Sequence, residues 1–347
     1  MADGTKIEWT DATWNPITGC AIVSPGCTNC YAMKLAGTRL KNHPSRNGLT
    51  KDTKAGPVWT GEVRLNRQWL DQPLRWTKPR MIFVCAHGDL FAEGVDQVWI
   101  DHVFAVMALA PQHTFQVLTK RPERMREYIL GMSSRRGFIA GYGALVRGGN
   151  LPDHYETAYE AVAKPLPNVW LGVSVEDQKR ADERIPILLD TPAAVRWISA
   201  EPLLGPLDLV TFLGGTLRIG NIFIKVPAVR LDWVVAGGES GPDARPMHPD
   251  WARSLRDQCA AAEVPFLFKQ WGEWAPQVGA VDGWTIPDDP EISRIDHRDW
   301  EENHWGEPYR PMWCDDLEDD TVSRVGKRYA GRLLDGVEHN GFPEVRR

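Results

Sequence analysis

The fold class follows from the stretch Met81-Ile-Phe-Val-Cys-Ala-His-Gly-Asp89, which joins a short apolar run to a polar loop. A short apolar run that stops abruptly at polar residues is typical of a buried β-strand, because helices need about ten residues or more. The stretch therefore predicts a strand over 81–86 whose carboxyl end carries His87 and Asp89.

Further apolar runs with polar ends follow along the chain. They are Phe115–Thr119 before Lys120, Val169–Ser174 before Glu176, Val195–Ala200 before Glu201, Leu231–Ala236 before Gly237-Gly-Glu-Ser-Gly241, and Pro265–Phe268 before Lys269. Helix-like stretches at 98–109, 178–189 and 251–262 lie between some of these runs. This alternation predicts an α/β fold built of βαβ units around a parallel sheet.

The polar residues stand just after the apolar runs, where parallel α/β folds bind their ligands. Six polar or glycine-rich strand ends predict one shared mouth. We expect that mouth to be lined by His87, Asp89, Lys120, Ser174, Glu176, Glu201 and Glu239. The candidate substrate-binding residues are Lys120, Arg121, Ser240, Lys269 and the later Lys327.

Two segments interrupt the alternation and are predicted to be insertions, at about 132–165 and 213–229. The second contains Thr216–Lys225, which has the pattern of a hairpin. After Trp274 the pattern gives way to a tail rich in Pro, Asp and Trp. We therefore predict a β/α domain over 1–275 and an irregular C-terminal extension over 276–347 that packs on the mouth.

Three of the six cysteines lie close together, as Cys20, Cys27 and Cys30 in the spacing C-x6-C-x2-C. The other three, Cys85, Cys259 and Cys314, are isolated. Three thiolates on one loop suit three irons of a [4Fe-4S] cluster and leave the fourth iron open to a small ligand. A zinc site is the alternative, with His43 or His87 as the fourth ligand, and a chance grouping of free thiols is a third.

These features together resemble the phage Gp37/Gp68-like three-Cys-motif family (DUF5131) and, more broadly, the radical S-adenosylmethionine superfamily. The narrow resemblance rests on motifs spread over nearly all of the chain. They are Trp14–Cys20, Pro25–Ala32, Gly88–Phe91, Leu118–Pro122, Leu171–Glu176, Ser199–Pro206, Gly237–Gly241 and Gly326–Gly336. The superfamily usually has C-x3-C-x2-C with an aromatic residue before the third cysteine, whereas here Asn29 precedes Cys30 and Tyr31 follows it.

The superfamily resemblance implies a partial or full (β/α) barrel that carries a [4Fe-4S] cluster on Cys20, Cys27 and Cys30. It also implies S-adenosylmethionine as cosubstrate, an electron donor as partner, and reductive cleavage to a 5'-deoxyadenosyl radical. By position, the residues implied to contact the cofactor are Tyr31, His87, Asp89, Ser174, Glu176, Glu201 and Glu239.

Charge is distributed unevenly along a chain of 347 residues whose net charge is -6. Residues 34–80 carry 11 basic and 3 acidic side chains, whereas residues 276–320 carry 3 basic and 14 acidic ones. Trp9, Trp14, Trp59, Trp69 and Trp76 lie in or near the basic block, where indoles can stack on bases while Lys and Arg hold phosphates. The two charged segments pairing with each other, or plain solvated faces, are the alternatives.

The expected function is therefore radical chemistry on a nucleic acid or nucleotide, as in DNA repair or base modification. A non-catalytic zinc- or cluster-stabilised module that binds nucleic acid or a partner protein is the alternative. A metal-free hydrolase using Asp89, Glu176 and Glu201 is a third. No stretch has the roughly 18 apolar residues of a membrane span and the start has no apolar signal core, which predicts a cytoplasmic protein.

Overall fold

The computed structural model of the chain describes residues 4–214, 216–219, 222–225, 229–276, 294–295 and 322–344. Its largest sheet has seven strands. They are Ala12–Trp14 (β1), Met81–Val84 (β2), Thr114–Thr119 (β3), Val169–Ser174 (β4), Val195–Ala200 (β5), Trp233–Gly237 (β6) and Phe266–Gln270 (β7). The strands run parallel and lie in the order β1-β2-β3-β4-β5-β6-β7, so that each strand pairs with its neighbours in sequence.

Helices connect most of these strands. They are Tyr31–Gly37 (α1), Gln97–Ala108 (α2), Pro122–Gly131 (α3), Arg136–Arg147 (α4), Leu151–Ala161 (α5), Gln178–Leu189 (α6) and Pro249–Ala261 (α7). Helix α2 begins where the Asp96 carboxylate accepts a hydrogen bond from Val98 N at 2.8 Å, which satisfies a free amide of the first turn. Pro122 and Pro249 stand at the starts of α3 and α7, where a missing N–H costs nothing.

Shorter elements fill the connections. The pair Ile17–Thr18 and Arg64–Leu65, and the hairpin Thr50–Thr53 with Gly56–Trp59, lie between β1 and β2. One-turn helices are Pro25–Cys27, Arg67–Trp69, Gln72–Arg75, Met132–Arg135, Val210–Leu213 and Lys327–Ala330.

The predicted α/β class with a parallel sheet is confirmed. All six predicted strands are present within a few residues of their expected bounds, and helices α2, α6 and α7 match the helix-like stretches. The sheet order places β1 and β7 at opposite ends, so the sheet is open, as in a partial barrel and unlike a full one.

The predicted insertions have structure of their own. Residues 132–165 form mostly α4 and α5, which pack on each other and on α2. Strands Thr216–Ile219 and Ile222–Lys225 pair antiparallel, which confirms the hairpin. Most of the predicted 276–347 extension, including the acidic segment, Cys314 and four of its tryptophans, lies outside the described residues. Its described parts include Val322–Arg324, which pairs with Trp274–Pro276 and with Arg294–Ile295.

The chain divides into two compact units. The first comprises the described parts of residues 1–173 and 187–196, and its core includes Trp14 against Phe115, with ring centroids 5.8 Å apart. The second comprises residues 174–186 and the described parts of 197–347, with Trp197 against Trp233 at 5.3 Å in its core. Among the described residues, no helix has the length and apolar character needed to cross a membrane.

Candidate functional site

The cysteine loop runs from the carboxyl end of β1 to the start of α1. Gly19 ties this loop to the end of β2, because its amide donates to His87 O at 3.2 Å and it forms a parallel bridge with Gly88. Gly19 has φ +95°, and a Cβ there would lie 2.3 Å from Glu62 O, so only glycine fits. This close approach places Cys20 beside the polar end of β2.

The three thiols share one environment. Cys27 is buried, and Cys20 and Cys30 are partly buried against the apolar residues under α1. Burial, together with the charges of Asp89 and the two other cysteines, raises the pKa of Cys20 to about 12 against the opposing charge of Arg121. Burial also raises the pKa of Cys30. Cys20 and Cys30 are therefore neutral at pH 7 in the metal-free chain, and a metal would have to displace their protons.

Arg121, at the end of β3, holds the first cysteine in place. Its Nη1 donates to Cys20 Sγ at 3.3 Å and to Asp89 Oδ2 at 3.1 Å. Its Nη2 donates to Ala21 O and to Glu93 Oε2, each at 3.0 Å, and its Nε donates to Glu93 Oε1 at 3.0 Å. These five bonds use the five donors of a guanidinium. Arg121 was predicted to bind substrate, but here it has no donor left for one.

Asp89 connects the ends of β2 and β3 in the first unit. Its Oδ1 accepts from Thr119 Oγ1 at 2.7 Å and from Phe91 N at 2.9 Å. Its Oδ2 accepts from Lys120 N at 3.0 Å and from Arg121. The buried carboxylate therefore joins the ends of β2 and β3 and is fully engaged, so it orients Arg121 rather than facing a ligand.

The donor set of the loop fits an iron-sulfur cluster. Three cysteines without an accompanying carboxylate are soft ligands, which suit iron-sulfur clusters or zinc. Among the described residues, no three His, Cys, Asp or Glu side chains are arranged around a single ion. In a [4Fe-4S] cluster each thiolate binds a different iron, so the three sulfurs would surround the cluster rather than a single ion.

In the second unit, Glu201 at the end of β5 pairs with Lys269 on β7. Lys269 Nζ donates to the two carboxylate oxygens at 2.6 and 2.8 Å. Gln270 Nε2 donates to Glu201 Oε1 at 3.2 Å and to Ser240 Oγ at 2.9 Å. Glu201 and Lys269 keep 19% and 15% of their side-chain surface exposed, so a ligand can reach this group.

The other two acidic residues of this unit are closed off. Glu239 accepts from Arg245 Nη2 at 2.6 Å and from Arg245 Nε and N at 2.9 Å. Glu176 has no exposed side-chain surface and accepts from Arg184 Nη1 at 3.1 Å, and the same Nη1 donates to Ser174 O. Since Glu176 and Asp89 are both buried in ion pairs, the hydrolase alternative keeps only Glu201 as an accessible carboxylate.

Comparison with known proteins supplies the family. A model described as "Protein of unknown function (DUF5131)" matches residues 4–343, nearly the whole chain. The chain belongs to the DUF5131 family. The narrow resemblance predicted from the motifs is thereby confirmed. No curated protein and no solved structure gives a significant match to this DUF5131 chain.

The remaining predicted residues of the DUF5131 chain lie in different settings. Tyr31 is exposed at the start of α1, and its hydroxyl donates to Ala86 O. His87 is half-buried with its ring 6.0 Å from that of Tyr31. Lys120 lies near enough to Cys30 to lower the pKa of that thiol against the effect of burial. Lys327 is exposed on the one-turn helix Lys327–Ala330.

Of the five tryptophans in or near the basic block that were candidates for base stacking, three are buried in the core and cannot stack on a base. Trp9, Trp14 and Trp59 are buried core residues, and Trp59 packs under α1 against Met33. These three indoles pack against apolar residues because they lie on the inward faces of their elements. Trp69 and Trp76 remain partly exposed.

Sequence reasoning missed the partners of the predicted residues. Glu93, Arg184, Arg245 and Gln270 each complete an ion pair or hydrogen bond with a predicted strand-end residue. Arg245 stands six residues after Glu239 and Arg184 eight after Glu176, so short Glu–Arg spacing was an available signal for these two. Nothing in the sequence links Glu93 to Arg121 or Gln270 to Glu201.

Proposed function

We propose that this protein is a radical S-adenosylmethionine-type iron-sulfur enzyme that acts on a nucleic acid or nucleotide. The observation that carries the proposal is the cysteine loop: three thiols on the connection after the first strand of a parallel sheet, with the first thiol held by Arg121. The superfamily resemblance implies three cysteines on a loop after the first strand, as found here.

Cys20, Cys27 and Cys30 would hold three irons of a [4Fe-4S] cluster. When bound, the cluster and S-adenosylmethionine supply a 5'-deoxyadenosyl radical that abstracts hydrogen from a substrate. Arg121 donates a charge-assisted hydrogen bond to Cys20 Sγ, which favours the thiolate form that binds metal. The burial of Cys27 keeps water from the inner side of the loop.

Some predicted ligand contacts retain more support than others. Glu201, Lys269 and Ser240 form an accessible polar group in the second unit, which supports a role in binding cosubstrate or substrate. Asp89, Glu176 and Glu239 are engaged by arginines, which supports a positioning role for them.

The proposed substrate class rests on the basic block. Residues 34–80 have an excess of eight basic side chains, with Arg67 exposed and Trp69 and Trp76 partly exposed. Binding of labelled single-stranded DNA should weaken steeply with added salt, because neutralised phosphates release counterions. Trp69→Ala should weaken binding if its indole stacks on a base, whereas binding that responds to neither change would refute a nucleic-acid substrate.

Anaerobic reconstitution with iron, sulfide, a reductant and S-adenosylmethionine tests the reaction class. We expect 5'-deoxyadenosine to form with the wild-type chain and with Cys259→Ala, whose thiol is buried in α7 and remote from the loop in sequence. Cys30→Ala should form none. A chain that binds zinc, contains no iron or sulfide and forms no 5'-deoxyadenosine would instead support the non-catalytic module.

A further inference from the structure

Arg46 is a buried arginine without a carboxylate. Only 4% of the residue is exposed, yet its Nη1 donates only to Ser45 Oγ at 2.7 Å and to Ser45 O at 3.2 Å. Its Nε is buried with no hydrogen-bond partner, and its Nη2 makes no hydrogen bond to the described residues. No acidic side chain of the described residues pairs with it, in contrast to the buried Arg121 and Arg184.

The surroundings of Arg46 add positive charge instead of compensating it. Burial and the charge of Arg64 lower the pKa of Arg46 to about 10, and Tyr31 is the neighbour that opposes them. Arg64 is itself held by backbone carbonyls, with Nη2 donating to Asn47 O at 2.7 Å. His87 is near enough for Arg46 to lower its pKa, and its Nδ1 is buried with no partner.

Hydrogen bonds of Ser45 hold the neighbouring Arg46 beside the cysteine loop. Thr18 Oγ1 donates to Ser45 O at 2.7 Å, and Asn66 Nδ2 donates to Thr18 Oγ1 at 3.3 Å. Thr18 stands two residues before Cys20, and Tyr31 follows Cys30 directly. The unpartnered edge of Arg46 therefore belongs to the same part of the first unit as the thiols.

A buried charge is normally paired, because an isolated one loses its hydration without gaining a compensating partner. The Nε and Nη2 groups of arginine form one planar edge that binds two oxygens of a phosphate or carboxylate at once. We propose that Arg46, assisted by His87, binds an oxyanion, namely a phosphate of the nucleotide substrate. The identity of the phosphate carrier rests on the proposed function.

The test uses inorganic phosphate and the full-length, metal-reconstituted protein. Phosphate should raise the unfolding temperature of the wild-type chain and of Arg39→Met, a matched loss of charge at an exposed position. Arg46→Met should bind phosphate at least about tenfold more weakly, as expected for lost hydrogen bonds to a charged group. In phosphate-free buffer Arg46→Met should unfold no earlier than the wild type, because it removes an uncompensated charge.

An Arg46→Met chain that unfolds earlier than the wild type and still gains the full stabilisation from phosphate would overturn the site. Competition identifies the oxyanion. A deoxynucleoside 5'-monophosphate should displace phosphate, and the matching deoxynucleoside should not. Displacement by S-adenosylmethionine but not by the nucleotide would assign the site to a carboxylate and overturn the phosphate proposal. A wild-type chain that binds phosphate but forms no 5'-deoxyadenosine would contradict the proposed function and leave this site standing.

Discussion

The polar residues at the strand ends of the two units differ in their hydrogen-bond partners. In the first unit, Arg121 at the end of β3 donates both to Asp89 at the end of β2 and to the thiol of Cys20. In the second unit, Glu201 accepts from Lys269 and from the Gln270 side-chain amide, which also donates to the Ser240 hydroxyl. The first group includes a thiol of the proposed cluster loop, and the second is a partly exposed ion pair that a polar ligand can reach.

This difference shows the limit of the strand-end rule. The rule locates polar residues at the carboxyl edge of a parallel sheet, but it does not say which of them are free to bind. Asp89 and Glu201 follow their strands in the same way, yet Asp89 is buried with four hydrogen-bond donors while Glu201 is partly exposed. Partners, rather than position, separate the positioning residues from the ligand-binding candidates.

The largest stability effect is expected at Asp89. Asp89→Ala should lower the free energy of unfolding by about 3–5 kcal/mol, because it leaves the buried Arg121 without its buried carboxylate. Glu93→Ala removes the other carboxylate of Arg121, which is 63% exposed, and should cost about 0–1 kcal/mol. Urea unfolding of both variants measures the difference. Equal costs would show that the Asp89–Arg121 pair does not organise this corner.

A smaller effect is expected from pH at His87, which belongs to the first unit alone. Burial, with the charge of Arg46, lowers the pKa of His87 from 6.5 to about 4. The unfolded chain therefore binds a proton at a higher pH than the folded chain does, and stability is lost as the pH falls from 6.5 towards 4. Between about pH 7 and about pH 5 this loss amounts to about 2 kcal/mol.

The matched variant for this effect is His87→Gln. Its free energy of unfolding should fall less over the same pH range, by about the same 2 kcal/mol. The pKa values of His102, His113 and His339 are also lowered by burial, but these residues act in both chains and cancel in the comparison. Parallel pH profiles of the two chains would show that His87 is not held neutral.

The smallest effect is expected at the ion pair of the second unit. A double-mutant cycle of Glu201→Gln and Lys269→Met should give a coupling energy of about 1 kcal/mol, since both side chains are partly exposed. Chemical unfolding of the wild type, the two single variants and the double variant measures this coupling energy. A coupling as large as the cost of Asp89→Ala would remove the contrast between the two units.

The local sequence pattern predicted much of the fold, because an apolar run such as Met81–Val84 by itself indicates a buried strand. The cysteine grouping was equally visible, since Cys20, Cys27 and Cys30 are close in sequence. The pairing of Arg121 with Cys20, 101 residues apart, was not, because only the folded chain brings these residues together. For the same reason no local pattern predicted that Arg46 is buried or that Trp59 lies under α1.

Iron and sulfide per chain, measured after anaerobic reconstitution, test the central claim most directly. The wild-type chain and Cys259→Ala should each hold about four irons and four sulfides, as one [4Fe-4S] cluster requires. Cys20→Ala, Cys27→Ala and Cys30→Ala should each lose most of both. Full retention of iron in the variant lacking all three cysteines, or zinc bound in place of iron in the wild type, would contradict the account.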